Sequence, residues 1–148
     1  MEGASPGPDR PGARHPRPPA NLCGVEILGL GVDICEIERM ERALRRHPTM
    51  RERVFTAEER AYCDSRARPA ESYAGRFAAR EAVIKALGGY RGKRWQDISV
   101  TRGPSGAPAV RLQGNAKLRA DALGVSRVLV TFTHERTHAV AFAMVVSG

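Results

Sequence analysis

The sequence has no apolar run long enough to cross a membrane, and we therefore expect no membrane-spanning segment. It contains only three cysteines, Cys23, Cys35 and Cys63, without a C-x-x-C pair or the spacing of metal ligands. An odd number without a framework is typical of the reducing cytosol and favours a cytoplasmic protein. Aromatic residues are also few, with four Phe, three Tyr and one Trp. Because no stretch interleaves them with arginines, a stacking platform for single-stranded nucleic acid is not indicated.

The charge of the chain is one-sided, with a formal net charge of +8. Such an excess favours an acidic partner, which can be nucleic acid, an anionic membrane, a phosphate-rich cofactor or an acidic protein. Residues 1–24 are rich in Pro, Gly and Arg and poor in large apolar side chains, so we expect a disordered tail. No apolar segment follows the arginines of this tail, as one would in a signal peptide. Residues 25–148 are long enough to form one domain with its own core.

The best helical pattern lies in residues 73–88, which consist mostly of good helix formers. Gly88 and Gly89 supply the stop. Apolar residues recur at helical spacing and predict a buried stripe of Tyr73, Phe77, Ile84 and Leu87. Glu81 and Lys85 are four residues apart and project from one face of this helix. By themselves they are consistent with a surface ion pair of small energetic worth.

A second informative stretch begins with an apolar strand over residues 25–33 and ends at Asp33. Gly29 and Gly31 allow another backbone or a ligand to approach, but the third glycine of a dinucleotide fingerprint is absent. Asp33 either caps the following helix or binds a cation. One carboxylate from a strand end and one from a helix are the smallest protein contribution to a Mg²⁺ site, because Mg²⁺ takes its other ligands from water and substrate phosphates.

The remaining segments predict an α+β domain in which a small, mostly antiparallel sheet packs against the long central helix. Residues 36–46 form a helix with many arginines, which is either a solvated face or a docking surface. Residues 56–64 form a helix opened by a capping box of Thr56 and Glu59, and residues 66–71 form a polar link. The other elements are strands over 97–102, 108–112, 126–133 and 138–146, and a helix over 114–123.

Several segments together carry a family resemblance. The segments GVDICEIERM (31–40) and GRFAAREAVIKALG (75–88) resemble the G-x-D and F-x-x-[KR]-E-x-x-x-K motifs of the small-type 4'-phosphopantetheinyl transferases, the holo-acyl-carrier-protein synthases. FTAEERAYC (55–63) and THERTHAVAFAMVV (133–146) are similar to two further segments of that family. Arg80 stands where many members have Lys, and Gly88-Gly89-Tyr90 replaces a common G-T-G.

The resemblance implies the reaction and its residues. The expected activity is Mg²⁺-dependent transfer of 4'-phosphopantetheine from coenzyme A to a serine of an apo acyl carrier protein, releasing adenosine 3',5'-bisphosphate. It implies metal ligands at Asp33 and Glu81 and catalytic roles for Glu81 and Lys85, where Lys85 either stabilises charge or assists proton transfer. The positions expected to contact coenzyme A are Arg76, Lys85, Gly88 and His134. The positions expected to contact the carrier protein are Arg39, Arg42 and Arg46.

The resemblance also implies a homotrimer with active sites between neighbouring subunits. The carrier protein of fatty-acid synthesis is the expected substrate, and carrier domains of polyketide or peptide assembly lines are the alternative. Two other functions remain open from the residues alone: a non-catalytic binder of carrier proteins and a basic nucleic-acid-binding module. Intact Asp33, Glu81 and Lys85 argue against the first, and the absence of a recognised nucleic-acid motif argues against the second.

Overall fold

The computed structural model describes residues 24–148, so the predicted tail over residues 1–24 lies, except for Gly24, outside the described residues. The elements follow one another as β1 (Ile27–Glu36), α1 (Ile37–Arg46), α2 (Met50–Val54), α3 (Ala57–Asp64), α4 (Pro69–Ala86), a 3₁₀ turn (Trp95–Asp97), β2 (Ile98–Arg102), β3 (Pro108–Leu112), α5 (Gly114–Leu123), β4 (Arg127–His134) and β5 (His138–Val146). Among the described residues, no helix is both long and apolar enough to span a membrane.

The strands of this part of the chain form two antiparallel sheets. The larger sheet has the order β1-β5-β4, and a hairpin of β2 and β3 forms the smaller one. Helix α4 packs on one face of the larger sheet, where its alanines meet small residues of β5 such as Ala141 and Ala143. The predicted α+β class with a small antiparallel sheet on a long central helix is confirmed, although the strands divide into two sheets.

Two glycines of β1 set how closely α4 approaches the sheet. A Cβ atom added to Gly29 would lie 2.0 Å from the carbonyl oxygen of Ala86, and one added to Gly31 would lie 1.9 Å from that of Ala82. The close approach predicted for these glycines is therefore that of another backbone. Because helix and strand touch here without intervening side chains, β1 is held at a fixed position along α4.

Replacing Gly31 by alanine is expected to lower the free energy of unfolding by about 3 kcal/mol, because the added methyl group would meet backbone that cannot rotate away. Urea unfolding followed by circular dichroism measures this loss. Gly103→Ala is the control, since a Cβ atom there would meet its nearest neighbour at an ordinary 3.6 Å. Equal stability of the two variants would contradict the proposed close approach.

Helix α4 differs from its prediction in two respects. It begins at Pro69, four residues before the predicted start, because proline is well suited to the first helical position, and the predicted polar link is correspondingly shorter. The predicted buried stripe is correct for Tyr73 and Leu87, whereas Phe77 and Ile84 are only half-buried. The most buried apolar side chains of the helix are mainly alanines, since the short distance to β1 leaves no room for larger ones.

Helix α3 begins as predicted, whereas strand β1 is longer than predicted. The capping box of α3 is present: the Thr56 hydroxyl accepts from the Glu59 amide at 3.2 Å, and the Glu59 carboxylate accepts from the Thr56 amide at 3.0 Å. Strand β1 continues to Glu36, three residues beyond its predicted end, because pairing with β5 extends over these residues. The short helix α2 was not predicted from the sequence.

Candidate active site

The close packing of β1 on α4 brings Asp33 beside Lys85. The ammonium of Lys85 donates to Asp33 Oδ1 at 2.9 Å and to the carbonyl oxygen of Val32 at 3.0 Å. The Lys85 side chain is 54% exposed and that of Asp33 is 18% exposed, so a ligand can reach the pair from solvent. Two residues that are 52 positions apart in sequence thus form one polar centre at the surface.

Glu81 belongs to the same centre. It precedes Lys85 by one turn of α4, so both side chains project from the same side of the helix. Burial raises the pKa of the Glu81 carboxyl, and the negative charge of Asp33 raises it further, while the ammonium groups of Lys93 and Lys85 lower it. Two neighbouring carboxylates, one of which raises the pKa of the other and is already bonded to an ammonium group, fit a position for a cation.

The number of protein ligands available there is small. Among residues 24–148, no group of three or more His, Cys, Asp or Glu side chains is arranged to hold a metal ion. Asp33 and Glu81 therefore offer two carboxylates only. Such a pair suits Mg²⁺, which keeps water ligands and binds substrate phosphates, better than an ion that requires a closed set of protein ligands.

Arg76 and His134 lie elsewhere on the same chain. They line an open pocket of about 540 Å³ between α3, α4, the β2–β3 hairpin and the end of β4. Arg76 is 4% exposed, and its guanidinium stacks 4.1 Å from the centre of the Tyr62 ring. His134 is exposed, with Nε2 3.8 Å from a carboxylate oxygen of Glu71. The pocket lining does not include Asp33, Glu81 or Lys85, so the described chain does not bring the predicted site residues into one place.

Gly88 lies directly after the last turn of α4. Its φ angle of 71° is in the left-handed region, which favours glycine there. Its amide donates to the carbonyl oxygen of Lys85 at 3.0 Å and is engaged in closing the helix. The position is exposed and close to Lys85, so an approaching ligand would meet backbone here.

The three arginines predicted to contact a partner share one face of α1. Arg39, Arg42 and Arg46 are all exposed, and they lie opposite the buried Ile37, Met40 and Leu44. This arrangement gives a basic surface at the helix that directly follows Asp33 in the chain. An acidic partner docked on α1 would therefore lie near the Asp33–Lys85 pair.

Three residues of these surfaces were missed by the sequence analysis. Tyr62 and Arg102 line the Arg76 pocket, and Lys93 is close enough to lower the pKa of Glu81. A Tyr in α3 and an Arg at the end of β2 carry no signal of a common pocket, because their approach depends on the packing of distant elements. Lys93 lies in a basic run with Arg91 and Arg94 soon after α4, and this run of like charges is the local signal that could have found it.

A model of the 4'-phosphopantetheinyl transferase superfamily matches residues 29–143. The chain belongs to this superfamily. The matched residues include most of β1, the whole of α4 and most of β5, and β1 and α4 carry the Asp33–Glu81–Lys85 centre.

Individual relatives of the chain support its assignment to this transferase superfamily. The chain is 48% identical over 123 residues to the holo-[acyl-carrier-protein] synthase of Moorella thermoacetica, which covers 82% of this chain and 96% of the relative. It is 50% identical over 126 residues to that of an Anaeromyxobacter species, covering 82% and 97%.

Solved structures show the same fold. Holo-ACP-synthase from Plasmodium yoelii is 26% identical and superposes with a TM-score of 0.74, covering 84% of this chain and 98% of the other. The Helicobacter pylori holo-[acyl-carrier-protein] synthase in complex with coenzyme A is 29% identical with a TM-score of 0.68, covering 78% and 98%.

Proposed function

We propose that this protein transfers the 4'-phosphopantetheine group of coenzyme A to a serine of an apo acyl carrier protein, in the cytoplasm and with Mg²⁺. The observation that carries the proposal is the Asp33–Glu81–Lys85 centre in a chain whose relatives of 48% and 50% identity are named holo-[acyl-carrier-protein] synthases. The carrier protein of fatty-acid synthesis is the first substrate to test, followed by carrier domains of polyketide and peptide assembly lines.

The reaction forms one bond and breaks one. The serine oxygen attacks the phosphorus that carries pantetheine, the pyrophosphate P–O bond breaks, and adenosine 3',5'-bisphosphate leaves. The serine hydroxyl also gives up a proton. In this proposal Asp33 and Glu81 would hold Mg²⁺, and the bound ion would neutralise phosphate charge and align the leaving group.

The other groups at the centre have separate roles in the reaction. Because the Glu81 carboxylate would be occupied by Mg²⁺, we assign the serine proton to solvent water. The ammonium of Lys85 acts as a hydrogen-bond donor to Asp33 and to a carbonyl oxygen at the surface. We therefore assign it the role of a donor and a positive charge for the pyrophosphate oxygens. The exposed backbone at Gly88 leaves room for the phosphates beside Lys85.

The carrier protein would dock on the basic face of α1. Arg39, Arg42 and Arg46 are exposed, and the guanidinium fork binds a carboxylate through two hydrogen bonds. Docking there would place the partner next to the end of β1, where Asp33 lies. This position connects recognition of an acidic carrier to the reacting centre.

The test of the proposed reaction is the intact mass of an apo acyl carrier protein incubated with this protein, coenzyme A and Mg²⁺. We expect a gain of one phosphopantetheine group and an equal amount of adenosine 3',5'-bisphosphate. Adding a chelator should stop the reaction, and excess Mg²⁺ should restore it. If a folded preparation modifies none of the three carrier classes, the proposed function is wrong.

We also propose that copies of the chain share each active site in a trimeric ring. The face of the larger sheet that points away from α4 exposes apolar side chains, which are Leu30, Val32, Ile34, Leu129, Val140 and Phe142. Ile34 is 62% exposed and Val32 is 58% exposed. Contiguous apolar surface of this kind is typical of an interface, and the occupant we infer is a further copy of the chain.

The two half-sites lie at opposite edges of that sheet. Asp33 belongs to edge strand β1, whereas His134 belongs to edge strand β4 and adjoins the Arg76 pocket. A head-to-tail contact would bring the β1 edge of one copy against the β4 edge of the next, and such contacts close into rings. The nucleotide would then contact Arg76 and His134 of one copy while its pyrophosphate lies at Lys85 of its neighbour.

Subunit complementation tests this sharing. The Glu81→Gln and Arg76→Ala variants should each be nearly inactive. When the two are co-expressed, about a quarter of the interfaces should be active, namely those that combine the intact Glu81 of one copy with the intact Arg76 of the next. Light scattering should give a mass three times that of the chain. The Val32→Lys variant, which places a charge on the exposed apolar face, should have a lower mass. Failure of the mixed protein to recover activity would mean that each copy holds a whole site.

A further inference from the structure

Tyr62 on α3 is surrounded by three guanidinium groups. The centre of its ring lies 4.1 Å from the guanidinium of Arg76, 4.6 Å from that of Arg102 and 5.5 Å from that of Arg66. Arg102 also donates a hydrogen bond to the Tyr62 hydroxyl. These arginines come from α4, from the end of β2 and from the α3–α4 connection, so one aromatic ring joins three separate parts of the pocket.

The positive charges of this cluster are not balanced by carboxylates of the described part of the chain. Within residues 24–148, no carboxylate lies within ion-pair distance of Arg66, Arg76 or Arg102. Glu71, the acidic residue of the pocket lining, is bound to Arg68 at 3.2 Å. Arg76 is almost wholly buried, and its Nε–H has no acceptor in the described chain.

Such an arrangement calls for an anionic ligand. Three like charges around one ring repel each other, and a buried guanidinium N–H without an acceptor is unfavourable. The ring offsets part of this repulsion because its negative face attracts each cation. A phosphate monoester, with two negative charges and three acceptor oxygens, would satisfy the remainder.

We propose that Tyr62 is a positioning residue that holds Arg66, Arg76 and Arg102 together as a receptor for the 3'-phosphate of coenzyme A. This inference rests on the proposed function, and it adds that selectivity for the 3'-phosphorylated cofactor depends on an aromatic ring that positions the three guanidinium groups. Without the ring, the guanidinium groups separate and the phosphate meets fewer donors at once. The Tyr62 hydroxyl adds a hydrogen bond to only one of the three arginines, Arg102.

Nucleotide binding measures this selectivity without any transfer reaction. Calorimetry with adenosine 3',5'-bisphosphate and with adenosine 5'-monophosphate gives the ratio of the two dissociation constants. We expect the wild type to prefer the bisphosphate, Tyr62→Leu to reduce that preference about tenfold and Tyr62→Phe to reduce it about threefold. Affinity for the monophosphate should change less than twofold, which also shows that the variants are folded.

Transfer kinetics supply the second readout. With coenzyme A, Tyr62→Leu should raise KM about tenfold at nearly constant kcat, whereas with 3'-dephospho-coenzyme A its KM should equal that of the wild type. Equal losses for both substrates, or a wild type that does not distinguish the two nucleotides, would overturn the assignment of Tyr62. A wild type that distinguishes the nucleotides but transfers nothing would instead refute the proposed function and leave this assignment intact.

Discussion

Changing Glu81 to Gln or Asp33 to Asn is expected to lower kcat/KM for carrier-protein modification by about 10³-fold or more, because each removes one of two carboxylates proposed to hold Mg²⁺. Both substitutions keep the shape of the side chain and remove only its charge. Glu36→Gln is the matched control, since Glu36 is an exposed carboxylate on the same strand as Asp33 and should leave kcat/KM within about twofold. Time courses of the intact mass of the carrier protein measure the rates of all three variants.

Stability separates this interpretation from a structural role. Because the pKa of the Glu81 carboxyl is raised in the folded chain, folding favours its protonated form, and stability falls as pH rises through the range between the unfolded and folded pKa values. Above that range, and without metal, Glu81→Gln should therefore unfold at the same or a higher temperature than the wild type.

Added Mg²⁺ should raise the unfolding temperature of the wild type and have little effect on Glu81→Gln. This readout does not depend on activity. A variant that loses activity only because it unfolds early, or that responds to Mg²⁺ as the wild type does, would contradict the assignment of Glu81 as a metal ligand.

Glu59→Ala is expected to lower the free energy of unfolding by about 4 kcal/mol, a large part of the 5–15 kcal/mol that is roughly typical of a whole domain. Glu59 is 1% exposed and binds Arg80 Nη2 through both carboxylate oxygens at 2.8 and 2.7 Å. It also accepts from the amides of Val100 at 2.6 Å and Thr56 at 3.0 Å. The variant leaves the Arg80 guanidinium buried without its counter-charge.

The neighbouring residue provides the control for this prediction. Glu58 is exposed, and its distance to Arg111 is 3.9 Å, so Glu58→Ala should cost less than about 0.5 kcal/mol. The double variant Glu59→Leu with Arg80→Met should be clearly more stable than Glu59→Ala, because no unpaired charge remains buried. Urea unfolding at one fixed protein concentration compares them, since the stability of an oligomer depends on concentration. Similar losses for Glu58→Ala and Glu59→Ala would contradict the buried ion pair.

Local spacing made several parts of the site predictable. The helical period alone places Glu81 and Lys85 on one side of α4, and it places the α1 arginines opposite Ile37, Met40 and Leu44. The capping box of α3 was also predictable, because Thr56 and Glu59 are three residues apart and need only the first turn of a helix. The motifs in β1 and α4 indicated the superfamily before the fold was known.

Longer-range features were predictable only in part. The glycines of β1 indicated a close approach, but their spacing does not say whether a ligand or the backbone of α4 fills the space. The sequence predicts Glu59 only as a capping residue, because its bonds to Arg80 and Val100 join residues 21 and 41 positions away. No local sequence pattern indicates pairs of residues that are so far apart in the chain.

The sequence by itself determined the α4 helix and the basic face of α1, because these depend on periods and caps within a few residues. Its motifs indicated the residues that carry the proposed chemistry through the family resemblance. Only the tertiary structure decided that Asp33 lies beside Lys85, that Tyr62 gathers three arginines, and that the Arg76 pocket is separate from the carboxylates in one copy. The reason is physical: such contacts depend on how closely and at what register two elements pack, and that is set by the whole core rather than by either segment.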